Sequence, residues 1–146
     1  MGAALGGVFA LGRGSEPSTA PGIERDVEAY GAHPLQRGEW WLPSAARSGT
    51  RLPTVLLVHG GFWQPGYDRS LEDDVAADLA GRGYLVWNVD YRAADAGWPA
   101  TLLDVAAAHD SLARGRHAGL VDPARTALVG HSAGGHLALW LASRAR

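Results

Sequence analysis

The stretch Gly130-His131-Ser132-Ala133-Gly134 is the part of this sequence that decides the expected fold. An apolar run that is typical of a buried strand precedes it, and a run that is typical of a helix follows it. A G-x-S-x-G turn in this setting is a nucleophile elbow, in which the serine lies on a sharp, strained turn with its hydroxyl exposed. Gly130 and Gly134 suit such a turn because larger side chains would collide with the neighbouring strand or helix. We therefore predict that Ser132 is a nucleophile; the alternative is a glycine-rich turn whose serine only caps the helix.

A second motif, His59-Gly60-Gly61-Phe62-Trp63, follows another continuous apolar run. Adjacent glycines allow the backbone to come close to a substrate and to direct N–H groups at its oxygen. Such donors form an oxyanion hole, in which each is worth about 3 kcal/mol in the transition state. By itself the motif could be an ordinary β-turn. Paired with the elbow, it predicts that the two loops meet at the carboxyl ends of neighbouring strands, where open sheets bind ligands.

The rest of the sequence alternates between strand and helix patterns. The expected order is β-β-β-α-β-α-β-α, which implies a doubly wound, mostly parallel sheet of the α/β class with right-handed crossovers. The predicted strands are 25–30, 38–43, 54–58, 84–90 and 126–129. The predicted helices cover 70–79, begin at Pro99 and begin at Ala133. In the first helix, Ser70 is the expected N-cap, and the expected buried face comprises Leu71, Val75, Ala76 and Leu79.

Composition excludes several classes of function. The chain has 146 residues, 47% of them hydrophobic, and a net charge of −2, which indicates one globular domain without a nucleic-acid surface. It has no cysteine, and no His and carboxylate residues have metal-ligand spacing, so we expect no metal or other cofactor. No apolar run reaches 18 residues, so we expect a cytoplasmic protein without a membrane span. Residues 1–24 are rich in Gly and Ala and are expected to form a flexible leader.

Residues 30–146 resemble the N-terminal half of an α/β-hydrolase, in the branch of esterases, lipases and kynurenine formamidases. The motifs that carry the resemblance are HGGFW at 59–63, VDYR at 89–92, DPAR at 122–125 and GHSAGGHLA at 130–138. The first of these matches the HGGxW oxyanion motif of kynurenine formamidases and related esterases. The resemblance implies that residues 25–146 are the N-terminal portion of an α/β-hydrolase domain that is incomplete at its C-terminal end.

The resemblance also implies a role for each residue of the two motifs. Ser132 would be the nucleophile, and the backbone N–H groups of Gly61, Phe62 and Ala133 would form the oxyanion hole. Phe62 and Trp63 would line the acyl or aromatic side of the substrate pocket.

Other residues are expected to support the fold. His59 would brace its loop through a hydrogen bond, and Asp90 and Arg92 would be structural. In this family the catalytic acid and histidine come later in the chain than residue 146. We expect none of the six histidines present to replace them: His33, His59, His109, His117, His131 and His136. Of these, His136 lies four residues after Ser132 and on the same face of the predicted helix, and we expect it to be a packing residue.

Two functions follow from these observations. The first is a serine hydrolase of the carboxylesterase or amidase type, which acts on a small-molecule ester or amide and is truncated before its acid and histidine. The alternative is a catalytically inactive fragment or half-domain that associates with a partner chain. In that case the strand at 126–129 would be an open sheet edge and would favour self-association.

Overall fold

The computed structural model describes residues 22–144, which form five strands and three α-helices. The strands are β1 (Glu24–Ala29), β2 (Arg37–Leu42), β3 (Leu52–Val58), β4 (Leu85–Val89) and β5 (Val121–Gly130). The helices are α1 (Asp73–Gly81), α2 (Ala100–Ser111) and α3 (Ala133–Ala142). This is the predicted order of elements. Most of the predicted leader lies outside the described residues, and β1 begins at Glu24.

The strands form one sheet in the order β1-β2-β4-β3-β5. The last three strands in sequence are parallel to one another, whereas β2 pairs antiparallel with both β1 and β4. The expected α/β fold with a doubly wound sheet is therefore confirmed, with an antiparallel hairpin at one side. The pairing of β3 with β5 ends with Val58 opposite Gly130. The two loops identified in the sequence thus leave neighbouring strands at the same level.

The helices cover both faces of the sheet. On one face, α2 and α3 pack over the larger part of the core, which includes Trp40, Leu56, Trp87, Val105 and Leu137. On the other face, α1 packs over a smaller cluster of Trp41, Val55, Leu57, Ala76, Ala80 and Val86. The Trp40 and Trp87 rings stack at 4.5 Å between centroids. Among the described residues, no helix is long and apolar enough to cross a bilayer.

The first helix differs from its prediction in both start and face. A 3₁₀ turn (Arg69–Glu72) precedes α1, and the carboxylate of Asp68, rather than Ser70, provides the cap by accepting the Ser70 N–H at 2.9 Å. Because residue 71 belongs to that turn, it is not in register with the helix. Of the predicted face, Ala76 is buried and Leu79 is half-buried against the sheet, as expected. Leu71 and Val75 are exposed, and Ala80 covers the sheet in their place.

Candidate active site

The elbow (residues 130–134) is a sharp turn between β5 and α3. Ser132 has φ 52° and ψ −116°, so its backbone lies in the left-handed region that L-residues other than glycine seldom adopt. A side chain at Gly130 would collide with the carbonyl of Gly134, and one at Gly134 would collide with the carbonyl of Val58 on β3. The turn therefore requires glycine at both positions.

The side chain of Ser132 is exposed and does not cap α3. Ser132 occupies the N-cap position of the helix, but its side chain makes no capping hydrogen bond. Within residues 22–144, no histidine or carboxylate makes a hydrogen bond with its hydroxyl either. The hydroxyl is therefore available to another molecule, which disfavours the purely structural alternative for this serine.

The glycine loop (residues 59–63) has an equally unusual backbone. Gly61, Phe62 and Trp63 have φ values of 116°, 56° and 57°. Across the described residues, the three non-glycine positions with positive φ are Phe62, Trp63 and Ser132, and all belong to these two motifs. Each such residue costs on the order of 1–3 kcal/mol, and they tend to cluster at functional sites.

The glycine loop and the elbow are in contact. A Cβ added to Gly60 would lie 3.0 Å from the Nδ1 atom of His131 and 3.3 Å from the Cβ atom of Ser132. The backbone N–H groups of Gly61, Phe62 and Ala133 have no acceptor among the described residues. Three unpaired donors thus lie in the segments that meet at Ser132, one of them at the N-terminus of a helix, where negative charge is favoured.

His59 is buried beneath the glycine loop. Its Nδ1–H donates to the carbonyl oxygen of Gly60 at 2.6 Å, and its ring stacks on Tyr91 with 4.2 Å between centroids. The Tyr91 hydroxyl donates to the His59 carbonyl oxygen at 2.8 Å. Burial lowers the pKa of His59, which keeps the ring neutral. These contacts are those of a residue that braces the loop.

Two other histidines lie next to the motifs. The Nδ1 atom of His131 lies 3.6 Å from an oxygen of the buried Glu72 carboxylate. Glu72 was not selected as a site residue from the sequence. His136 is exposed, and it packs edge-on against the Trp63 ring at 5.4 Å between centroids. No group of residues suited to a metal ion is present in the described part of the chain.

The segment after β4 is fixed by buried ion pairs. Asp90 is 1% exposed and accepts from the backbone N–H of Arg69 at 2.8 Å and from its guanidinium. Arg92 forms two side-chain hydrogen bonds, at 2.6 and 2.8 Å, with the fully buried carboxylate of Asp104. These contacts are those of structural residues, as expected for Asp90 and Arg92. Asp104 was not selected from the sequence, because its position on an apolar helix face gave no sign of its partner.

Beside the glycine loop is an apolar cleft of about 270 Å³. Trp63 and His136 line one side of it, and the segment from Ala94 to Leu102 lines the other. That segment carries Trp98, which is 85% exposed. Trp98 was not selected from the sequence, because nothing in its immediate sequence indicates that it is exposed beside the glycine loop.

The comparison with known families agrees with this arrangement of strands and loops. The sequence profile of the BD-FAE family matches residues 41–146, which include both motifs. The chain belongs to the BD-FAE family of α/β-hydrolase esterases. Proteins described as esterases are similar to most of this chain. Esterase LipI of Mycobacterium tuberculosis is 36% identical over 118 residues, which are 79% of this chain and 36% of LipI.

Solved structures of esterases superimpose on this BD-FAE chain. Esterase B of Lactobacillus rhamnosis, inhibited by a tributyrin phosphonate, is 32% identical with a TM-score of 0.74, over 84% of this chain and 40% of its own. A bacterial heroin esterase is 27% identical with a TM-score of 0.69, over 81% and 38% of the two chains. The chain therefore spans well under half the length of these relatives.

Proposed function

We propose that this chain carries the nucleophile and the oxyanion hole of a carboxylic ester hydrolase. The observation that carries the proposal is the exposed, uncapped Ser132 at positive φ, against a glycine loop whose N–H groups are unpaired. The esterase relatives support ester substrates. Neither a metal nor an organic cofactor is needed for this chemistry.

In the proposed reaction, the Ser132 Oγ atom forms a bond to the ester carbonyl carbon, and its proton passes to a general base. The carbonyl oxygen becomes an oxyanion that accepts hydrogen bonds from the N–H groups of Gly61, Phe62 and Ala133. The C–O bond to the alcohol then breaks, and the alcohol leaves with a proton. Water hydrolyses the acyl-enzyme and restores Ser132. The base would come from residues outside 22–144 or from a partner chain.

Amides are the second class of substrate that this site could accept. The pattern at 59–63 resembles that of kynurenine formamidases, which cleave an N-formyl amide. The relatives reported above are esterases, and a methylesterase of rice is 34% identical over 75% of this chain. We therefore place esters before aryl formamides as the proposed substrate, and the same serine and oxyanion donors would serve both.

Labelling with a fluorophosphonate tests the nucleophile. We expect slow but stoichiometric labelling of the chain, at least about 10³-fold slower than for an intact relative, because no base lies at Ser132 within the described residues. Ser132→Ala should remove the labelling, whereas Ser70→Ala, at another exposed serine, should leave it unchanged. The rate and the labelled residue are measured by intact-mass and peptide mass spectrometry. Equal labelling of Ser132→Ala would contradict the proposal.

The alternative function is that of an inactive half-domain that pairs with another chain. In its favour, β5 pairs only with β3 among the described residues, and the exposed side chains of this strand include Val129. An open edge strand of this kind presents unpaired N–H and C=O groups that favour association. The sedimentation behaviour of the chain and the labelling of Ser132 together decide between the two functions.

A further inference from the structure

We propose that Glu72 is a positioning residue for the chemistry at Ser132, and that its buried carboxylate holds the ring of His131 against the glycine loop. The inference rests on the proposed function and adds to it a residue that acts through another side chain. It also makes the rate at Ser132 depend on whether His131 carries a proton.

Glu72 lies at the end of a well-fixed turn. It is the last residue of the 3₁₀ turn (Arg69–Glu72) that precedes α1. Asp68 caps the start of that turn, and the Arg69 backbone N–H donates to the buried Asp90 carboxylate at 2.8 Å. The turn therefore fixes the point from which the Glu72 side chain reaches the elbow.

The Glu72 carboxylate is buried without being fully paired. The residue is 5% exposed, and its Oε1 atom has no hydrogen-bond partner among the described residues. The basic group that faces this oxygen there is His131, whose Nδ1 atom lies 3.6 Å away. A buried carboxylate oxygen without a donor costs free energy. Shortening the separation by about 0.8 Å would give it a charge-assisted hydrogen bond.

The His131 ring lies where the elbow meets the glycine loop. His131 directly precedes Ser132, and its backbone N–H donates to the Val58 carbonyl oxygen at 3.3 Å. A Cβ added to Gly60 would lie 3.0 Å from the Nδ1 atom of the ring, so the ring packs on the glycine loop. A carboxylate that holds this ring therefore acts on both segments that carry the proposed oxyanion donors.

The ring of His131 has little else to hold it. Its side chain is 73% exposed, and within the described part of the chain its polar contact is the one to Glu72. An exposed ring without that contact would populate other rotamers, and fixing it in one of them costs conformational entropy. We infer that the carboxylate selects the position next to Gly60.

The strength of this contact depends on the charge of the imidazole. An imidazolium donates a charge-assisted hydrogen bond to a carboxylate, and a histidine side chain gains its proton as the pH falls from about 8 to 5. The two buried titratable groups beside Glu72 do not compete, because burial lowers the pKa of His59 and raises that of Tyr91, which keeps both neutral. The remaining charged side chains of this region have partners of their own: Asp68, Arg69 and Asp90.

The test is the rate at which a fluorophosphonate labels Ser132, at about pH 5.5 and about pH 8.5, below and above the range in which histidine titrates. Each variant is compared with the wild-type chain at the same pH. Glu72→Gln keeps the shape of the side chain and removes its charge. We expect it to slow labelling about fivefold at the lower pH and less than about twofold at the higher pH.

Two further chains show whether Glu72 acts through His131. His131→Asn should also slow labelling about fivefold at the lower pH, and the two substitutions together should slow it no more than one alone, as expected for residues that act as a pair. Asp74→Asn is the matched control, because it removes the same charge from an exposed position in the first turn of α1. It should leave the rate unchanged at both pH values.

Three results would overturn the inference. They are an unchanged rate in Glu72→Gln, an equal slowing at the two pH values, which a purely structural role would give, and additive effects in the double variant. Urea denaturation verifies that each chain is folded at both pH values. If Glu72→Gln is not, His131→Asn, a change at an exposed side chain, provides the reading, and an equal slowing at both pH values would again be contrary.

Failure of this inference is distinguishable from failure of the proposed function. A wild-type chain that is not labelled at Ser132 refutes the proposed function and this inference with it. A wild-type chain that is labelled, together with a Glu72→Gln chain labelled at the same rate, refutes the inference alone.

Discussion

At Ser132 the backbone and the side chain serve different ends. The backbone is in an unfavourable conformation that the close packing of β3, β5 and α3 imposes, and the hydroxyl gains no hydrogen bond within residues 22–144 in return. Local strain without a local benefit is typical of a residue whose partner is a substrate. Phe62 and Trp63 resemble Ser132 in this respect, since both have a positive φ and an exposed side chain.

Gly134 provides the residue-scale prediction. A methyl group at this position would overlap the Val58 carbonyl oxygen, which is backbone and cannot move without disturbing β3. We expect Gly134→Ala to lower the free energy of unfolding by about 3 kcal/mol, as overpacking at a rigid site does. The measurement is urea denaturation followed by circular dichroism.

Gly81→Ala is the matched control for Gly134→Ala. A Cβ at Gly81, the last residue of α1, meets nothing within 4 Å. Replacing this glycine should leave stability unchanged or raise it by up to about 1 kcal/mol. A Gly134→Ala chain as stable as the Gly81→Ala chain would show that the elbow is not tightly packed against β3.

The residues of the two motifs could be predicted because glycine and serine at fixed spacing report a local backbone geometry. Trp98, Glu72 and Asp104 could not be predicted in this way. Their burial or exposure depends on which elements pack together, and nothing in their immediate sequence states it.

At the scale of elements, the starts of α2 and α3 were predicted to within one residue, whereas α1 and β5 differ from their predictions. Continuous apolar runs define β3 and β4 because these strands are buried on both faces. The start of α1 was placed too early, since a 3₁₀ turn with its own Asp68 cap has the same local pattern as a helix N-terminus. β5 was predicted too short: its ladder is irregular between Val121 and Thr126, where Asp122 and Pro123 lie.

The open side of β5 provides the element-scale prediction. We expect the chain to self-associate with rising concentration, because an exposed edge strand pairs readily with another. Val129→Lys should shift the population toward monomer, since a charge at an edge strand disfavours pairing. Leu139→Lys, which adds the same charge on the exposed side of α3, is the control and should not.

Sedimentation velocity over a range of concentrations measures this association. A monomer at all concentrations would contradict the prediction, and so would an equal effect of the two lysine substitutions. In either case the alternative function, a half-domain that pairs through β5, would lose its support.

At the scale of the whole molecule, the sheet order explains why two motifs about seventy residues apart form one site. The chain passes from β3 to β4 on one side and then returns to place β5 on the other side of β3. The carboxyl ends of β3 and β5 are therefore neighbours, at the kind of position where open α/β sheets bind ligands. The alternation of strands and helices predicted the fold class and this juxtaposition. It could not predict the cleft, which depends on how the segment after β4 folds against the glycine loop.

The most direct test of the central claim is a crystal structure of the chain after long incubation with a phosphonate ester, the class of inhibitor used with esterase B. We expect phosphorus bonded to the Ser132 Oγ atom. We also expect the phosphoryl oxygen to lie about 2.7–3.1 Å from the backbone nitrogens of Gly61, Phe62 and Ala133. An adduct on another residue, or a phosphoryl oxygen directed away from these three N–H groups, would contradict the proposed roles of Ser132 and the three N–H groups.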